Sequence, residues 1–303
     1  MPALLVLYWQ LAGGVLAGVV LGRLLPARVP ATLGRFLFWV GVPVGIVAFL
    51  RRADLSGAVW LAPLLAWGAV LAGALLATAL GRLQPQSLPP AARGSFFLTA
   101  MLGNTGYMGY PVNLALAGER FFGWAVFFDL GMVLSSYGLG VLLAAYWGRQ
   151  ATGYRQLARA IVTTPALWGV GLGLLLRPIA LPPLAQAALQ GAGWSAIGGA
   201  LLLIGMRLSQ LSSWHRWRLA AASLSVKMLL VPLLLGSLLG LSGMTGLQRL
   251  AMVLQAGMPP AFATLVITEA YELDRELTVT AIAAGSGSLL LTLPLWLLLF
   301  GGG

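Results

Sequence analysis

Gly103-Asn-Thr-Gly-Tyr-Met-Gly-Tyr-Pro111 lies inside a run of sequence apolar enough to cross a membrane. A spanning helix has to satisfy its own backbone hydrogen bonds, because lipid offers no partners. Three glycines, an Asn, a Thr and a Pro within nine residues weaken that helix in mid-bilayer. Unwound backbone at that depth is tolerated only against protein or a water-filled cavity, and in secondary transporters such breaks form the substrate site. A second interruption, Gln255-Ala-Gly-Met-Pro-Pro260, falls inside another apolar run in the second half of the chain. Two breaks in matching places point to a transporter.

Composition places the rest of the chain in a bilayer as well. Of 303 residues, 59% are hydrophobic and only 8% charged, with a mean hydropathy of +0.92. A soluble domain carries about 25% charged residues. Cysteine is absent, which rules out disulfides and thiolate metal sites or nucleophiles. The N-terminus lacks a basic leader and 4–25 is long enough to span, so no cleaved signal peptide is expected. The net charge of +11 is spread in ones, twos and threes beside apolar runs, the placement of topology signals and not of a nucleic-acid surface.

Apolar runs of spanning length predict ten membrane helices, at 4–25, 33–50, 58–80, 95–117, 121–147, 157–176, 184–206, 219–241, 247–270 and 277–300. Loops after odd-numbered spans carry 12 Lys or Arg residues and loops after even-numbered spans carry 5. This bias sets the odd loops in the cytoplasm and both termini outside, in a multi-pass protein of the cell (inner) membrane. The halves match: Arg23 and its Pro-containing loop answer Arg177, Pro178 and Pro182, and Arg93 before span four answers Arg249 before span nine. The small residues of 131–136 likewise answer Gly285-Ser-Gly-Ser288. Five spans per half is an odd number, so 151–303 is expected to enter the membrane inverted relative to 1–150. The predicted fold class is an all-α integral membrane protein of two inverted five-helix repeats, with helices four and nine broken.

Asn104-Thr-Gly-Tyr-Met-Gly-Tyr-Pro111 resembles the fourth-helix motif of the auxin efflux carrier family, which includes plant PIN exporters and bacterial organic-acid carriers. Gln255-Ala-Gly-Met-Pro259 with Thr268-Glu269-Ala-Tyr271 is similar to its ninth-helix motif, and the resemblance covers the whole chain. It implies a scaffold and a transport domain, related to sodium/proton antiporters and bile-acid symporters, with the two broken helices crossing where they unwind. The long hydrophilic central loop of the plant exporters is missing, which favours a compact bacterial-type member.

At such a crossing each break exposes a half-helix N-terminus that attracts an anion. Asn104, Thr105, Gly106, Tyr107, Pro111, Gln255, Met258 and Pro259 are the candidate substrate-binding residues. Asn104 has two roles open to it, binding substrate and capping the broken helix. Pro111 and Pro259 are expected to hold the breaks open, Thr105 and Gln255 to line the site, and Tyr107 and Tyr110 either to face substrate or to pack. Asp129 and Lys227, charges well inside spans, are read either as coupling groups or as an ion pair. Glu269 is a further coupling candidate or an interface marker, and His215 an interfacial loop residue. Glycines such as Gly13, Gly14 and Gly18 are read as helix-packing positions.

The expected function is therefore secondary transport of a small organic anion, auxin-like or malate-like, by alternating access. The alternatives are a proton- or sodium-coupled carrier of the same fold and a non-transporting sensor. No catalytic cluster of an intramembrane enzyme is apparent, and neither cofactor nor metal is expected. The partners anticipated are the anion, membrane lipid and a proton or sodium ion, not nucleic acid; a homodimer is left open.

Overall fold

The computed structural model describes residues 2–26, 28–83, 88–148, 159, 162–209 and 216–301. The described residues are helical, with no strand beyond a single isolated bridge. In chain order the helices are α1 (Pro2–Leu24), α2 (Arg28–Leu50), α3 (Gly57–Arg82), α4 (Pro90–Met101), α5 (Gly109–Leu116), α6 (Glu119–Trp147), α7 (Pro165–Leu175), α8 (Pro183–Ser209), α9 (Trp217–Leu241), α10 (Gly246–Ala256), α11 (Phe262–Ala270) and α12 (Arg275–Phe300). Six of them, α2, α3, α6, α8, α9 and α12, are long and apolar enough to cross a membrane. The protein is thus an all-helical, multi-pass membrane protein. The division expected at 150/151, Arg149, Arg155 and His215 lie outside the described residues.

The two apolar runs singled out for their Gly and Pro content each split into shorter helices. The 95–117 run becomes α4 and α5, and the 247–270 run becomes α10 and α11. Pro111 is not in its break. It is buried in the first turn of α5, where a missing N–H costs nothing, so it fixes the start of that helix. Among the described residues of the 157–176 run, α7 spans eleven and starts at Pro165 for the same reason. At the head of α12 the Asp274 side chain accepts the Leu277 amide at 3.0 Å and pairs with Arg216 at 3.2 Å. That N-cap holds the start of α12 beside α4, because the Asp274 carbonyl also accepts the Ser95 hydroxyl at 2.8 Å.

Glycines set the closest helix contacts. On α1, Gly14, Gly18 and Gly22 recur every four residues and face α8. A Cβ on Gly18 would lie 2.2 Å from the Leu202 carbonyl oxygen, and one on Gly205 would lie 1.9 Å from that of Val15. In a membrane, where lipid is as apolar as leucine, such close packing is what holds helices together. The neighbouring Gly13 has nothing within 4 Å of its Cβ position, so the expected packing role belongs to Gly14 and Gly18 and not to it. Gly205→Leu is expected to prise α1 from α8 and cost at least about 1–3 kcal/mol. Gly13→Ala is the neutral control, and equal melting temperatures for the two variants would contradict the arrangement.

Three of the long helices carry a widened turn, at Leu37–Gly41 in α2, Ser136–Gly140 in α6 and Ser225–Leu230 in α9. Such turns occur often at functional sites. The turn in α9 carries Lys227, and the one in α6 carries Ser136 and Tyr137 on the wall of the central cavity.

Candidate functional site

After Met101 the chain leaves the α4 helix with Leu102 extended, and Gly103 forms an antiparallel bridge with Pro260 of the other break. The Asn104 amide donates to the Pro259 carbonyl at 2.7 Å, and the Ala261 amide donates to the Leu102 carbonyl at 3.2 Å. Each break therefore satisfies backbone groups that the other leaves exposed, which allows both helices to be interrupted inside an apolar protein. Pro260 has no N–H to satisfy. Gly103 also lies against Lys227: a Cβ there would be 2.9 Å from the ammonium, which would have to shift.

Two half-helices start at this contact, α5 and α11. In the turn leading into α5, the Asn104 side-chain oxygen accepts the Tyr107 amide at 3.2 Å, while its backbone carbonyl accepts the amides of Met108 and Gly109. The Asn104 Nδ2 is buried and has no partner among the described residues. Other buried polar side-chain atoms also lack a partner, but Asn104 is the one such residue that lines the main cavity.

That cavity has a volume of about 1100 Å³. Its inner wall is Gly103 to Tyr107 from the first break and Ala261, Phe262 and Ala263 from the second. Ser136 on α6 and Ser286 on α12 also contribute to the wall, as does Asp129. At its exposed end stand Arg35, Glu269 and Arg275, the last two joined by a 2.8 Å ion pair. An exposed pair of this kind is worth about 0–1 kcal/mol and marks the cavity rim.

Of the residues singled out in the sequence, Asn104, Thr105, Gly106 and Tyr107 are brought together on the cavity wall, with Asp129 behind them. Gln255, Met258, Pro111 and Pro259 do not line it. Gln255 is fully buried and donates to the Ala125 carbonyl of α6 at 2.8 Å, pressed against Gly109. Met258 is in the apolar packing, and Pro259 contributes its carbonyl to the Asn104 amide. Tyr107 donates to the Gly34 carbonyl of α2 at 3.4 Å. Tyr110 does not line the cavity, and its ring packs against Phe122.

Asp129 and Lys227 do not pair with each other. The Thr105 hydroxyl donates to one oxygen of Asp129 and the Tyr110 hydroxyl to the other, the latter at 2.7 Å. Asp129 is thereby a clasp between α6, the first break and α5. Lys227, also fully buried, donates to the Ala256 carbonyl at the C-terminal end of α10. A cation there meets the negative end of the helix dipole, and it sits against Gly103 just beyond the end of α4. The two charges thus flank the crossing on separate partners. Of the two readings open to them, the ion pair is therefore not formed.

The fold and site define a class: a multi-pass helical membrane protein with two interrupted helices meeting on the wall of a central cavity. The family model described as membrane transport protein matches residues 3–161 and 150–297 of the chain. An uncharacterized transporter of Methanothermobacter thermautotrophicus is 30% identical over 274 residues, covering 88% of this chain and 87% of the relative. An uncharacterized transporter of Methanocaldococcus jannaschii is 27% identical over 210 residues, 67% of each chain. The chain belongs to this membrane transport family, the auxin efflux carrier family, and is a membrane transporter.

Proposed function

We propose that the protein is a secondary carrier of a small organic anion, with the carboxylate held at the crossing of the two breaks. The observation that carries the reading is the unpartnered, buried Asn104 Nδ2 on the cavity wall, next to the N-terminal ends of α5 and α11. Half-helix N-termini present free N–H groups and positive partial charge to an anion. The amides of Thr105, Gly106, Phe262 and Ala263 have no acceptor among the described residues, which leaves them open to the same ligand.

In this reading the chain forms ten spans in two inverted repeats, 1–150 and 151–303, and both termini lie outside the cytoplasm. Arg35, Arg207 and Arg275, which line the cavity, belong to the loops that the charge bias assigns to the cytoplasm. The structure would then be the inward-open state of an alternating-access cycle. Movement of the crossing against the remaining helices would carry the anion outward. A proton-coupled version is favoured by one specific observation, the buried Asp129 carboxylate bonded to Thr105 of the binding turn. Protonation there would change the charge beside the anion.

A thermal-shift series on the purified chain tests the reading. A ligand bound only to the folded state at a hundredfold excess over its Kd stabilises by about 2.7 kcal/mol. At least one small carboxylate is expected to raise the melting temperature in a concentration-dependent way, while its neutral amide does not. Equal shifts from acid and amide would contradict an anion site.

A further inference from the structure

A second, much smaller pocket of about 30 Å³ lies between α2, α5 and α8. It follows the central cavity along all three elements. On α2 the cavity takes Gly34, Phe38 and Val42, and the pocket takes Val42, Gly45 and Phe49. On α8 the numbers run the other way, with Leu203 and Ile204 in the cavity and Gly193 and Ala196 in the pocket. From the first break into α5, the cavity takes Asn104 to Tyr107, and the pocket takes Gly106, Tyr107 and Leu114. The pocket therefore continues the cavity towards the Leu50 end of α2 and the Pro183 end of α8. Val42, Gly106 and Tyr107 line both spaces and mark the boundary between them.

Tyr107 is the large side chain at that boundary. Its ring packs in an apolar cluster with Leu33 and Leu37 of α2 and Ala196, Ala200 and Leu203 of α8. Its hydroxyl reaches the Gly34 carbonyl at 3.4 Å, a long bond, so the packed ring carries the contact. α2 meets the ring with its widened turn, Leu37–Gly41, and such turns are frequent at functional sites. At the same level the helices are close, because a Cβ on Gly41 would lie 3.3 Å from that of Ala196. Behind the ring there is space: a Cβ on Gly45 would meet nothing within 4 Å. At about 30 Å³ the pocket holds about two waters, far less than an organic acid needs.

We propose that Tyr107 is the plug of the carrier. Its ring, seated between α2 and α8, shuts the central cavity off from the outer half of the translocation path, and the small pocket is that outer half collapsed. The proposal rests on the inward-open reading of the cavity and adds the side chain that closes its far end. Opening outward then requires the first break to draw Tyr107 from its seat, leaving the small residues of α2 and α8 to line the passage.

The chain contains no cysteine, so Gly45→Cys sets a unique thiol in the pocket and Ala263→Cys one on the cavity wall. The full chain is reconstituted in oriented vesicles, and each thiol is reacted from the cytoplasmic side with a small membrane-impermeant methanethiosulfonate. A thiol behind a packed seal reacts only through local opening, so Tyr107→Ala is expected to speed labelling of Gly45→Cys at least about tenfold. Tyr107→Phe, which keeps the ring and loses the hydroxyl, is expected to leave the rate unchanged. Tyr107→Leu keeps an apolar group in the seat and is expected to give an intermediate rate with a smaller loss of melting temperature than Tyr107→Ala. A rate that is uniform across this series, or as fast with Phe as with Ala, would overturn the plug. Ala263→Cys is expected to label rapidly from the cytoplasm whatever stands at 107. Slow labelling there would instead overturn the inward-open reading, so the two failures are separable.

Discussion

Asn104→Ala protein in proteoliposomes is expected to move no measurable labelled carboxylate at concentrations that saturate the wild type. The substitution removes the one unpartnered donor on the cavity wall that Asn104 supplies, and hydrogen bonds to charged groups are worth about 1.5–3 kcal/mol. That corresponds to between about tenfold and a hundredfold in affinity. It also removes the oxygen that accepts the Tyr107 amide, a cap worth about 1 kcal/mol. Asn104→Asp separates the two effects, because it keeps a capping oxygen and replaces the donor with a negative charge. A folded Asn104→Asp protein that fails to bind the anion locates the loss in binding. An Asp variant that transports normally would show that Asn104 is only a cap.

The second large effect is expected from Asp129→Ala. Both carboxylate oxygens accept buried hydroxyls, from Thr105 in the break and from Tyr110 in α5. Deleting the acceptor orphans two donors, at about 1–3 kcal/mol each, and unfastens the binding turn from α6. The expected result is a clear fall in melting temperature together with loss of transport. A double-mutant cycle identifies the cause: in the Asp129→Ala background, Tyr110→Phe should cost less than it does in the wild type, because its hydroxyl has already lost its partner. Additive losses would contradict the clasp. Asp129→Asn keeps the side chain's shape and an acceptor. If Asp129 also carries a proton, that variant transports without responding to an imposed pH gradient.

Much of the fold was legible where local chemistry decides it. Gly, Asn and Pro in mid-span predicted interrupted helices, and both runs are interrupted. Gly13, Gly14 and Gly18 on the first helix predicted close packing, which Gly14 and Gly18 make and Gly13 does not. The candidate site was legible as a stretch, 104–107, because its breakers and its polar groups are the same residues. What failed needed the tertiary arrangement. Depth alone left an Asp129–Lys227 ion pair open beside a coupling role, but the face each helix turns inward gave them different partners. Gln255 belongs to the second motif, yet the rotation of α10 aims it at α6 and not at the cavity. Arg207 reads as a loop charge in sequence, and only the approach of α2 to α8 at Gly34 sets it on the cavity wall. The backbone pairing of Leu102 and Asn104 with Pro259 and Ala261 joins residues about half the chain apart, which no local pattern encodes.

In the proposed cycle the anion binds between the two breaks, in a site exposed to one side of the membrane at a time. The chain contains no cysteine, so a single Ala263→Cys substitution gives a unique thiol on the cavity wall at the start of α11. The decisive measurement is the rate of its modification by a membrane-impermeant thiol reagent in oriented vesicles, with and without the anion. Rapid labelling is expected from the cytoplasmic side, slowed in proportion to occupancy when the anion binds, with labelling from the outside during turnover. Labelling that is indifferent to the anion and confined to one side under all conditions would contradict it.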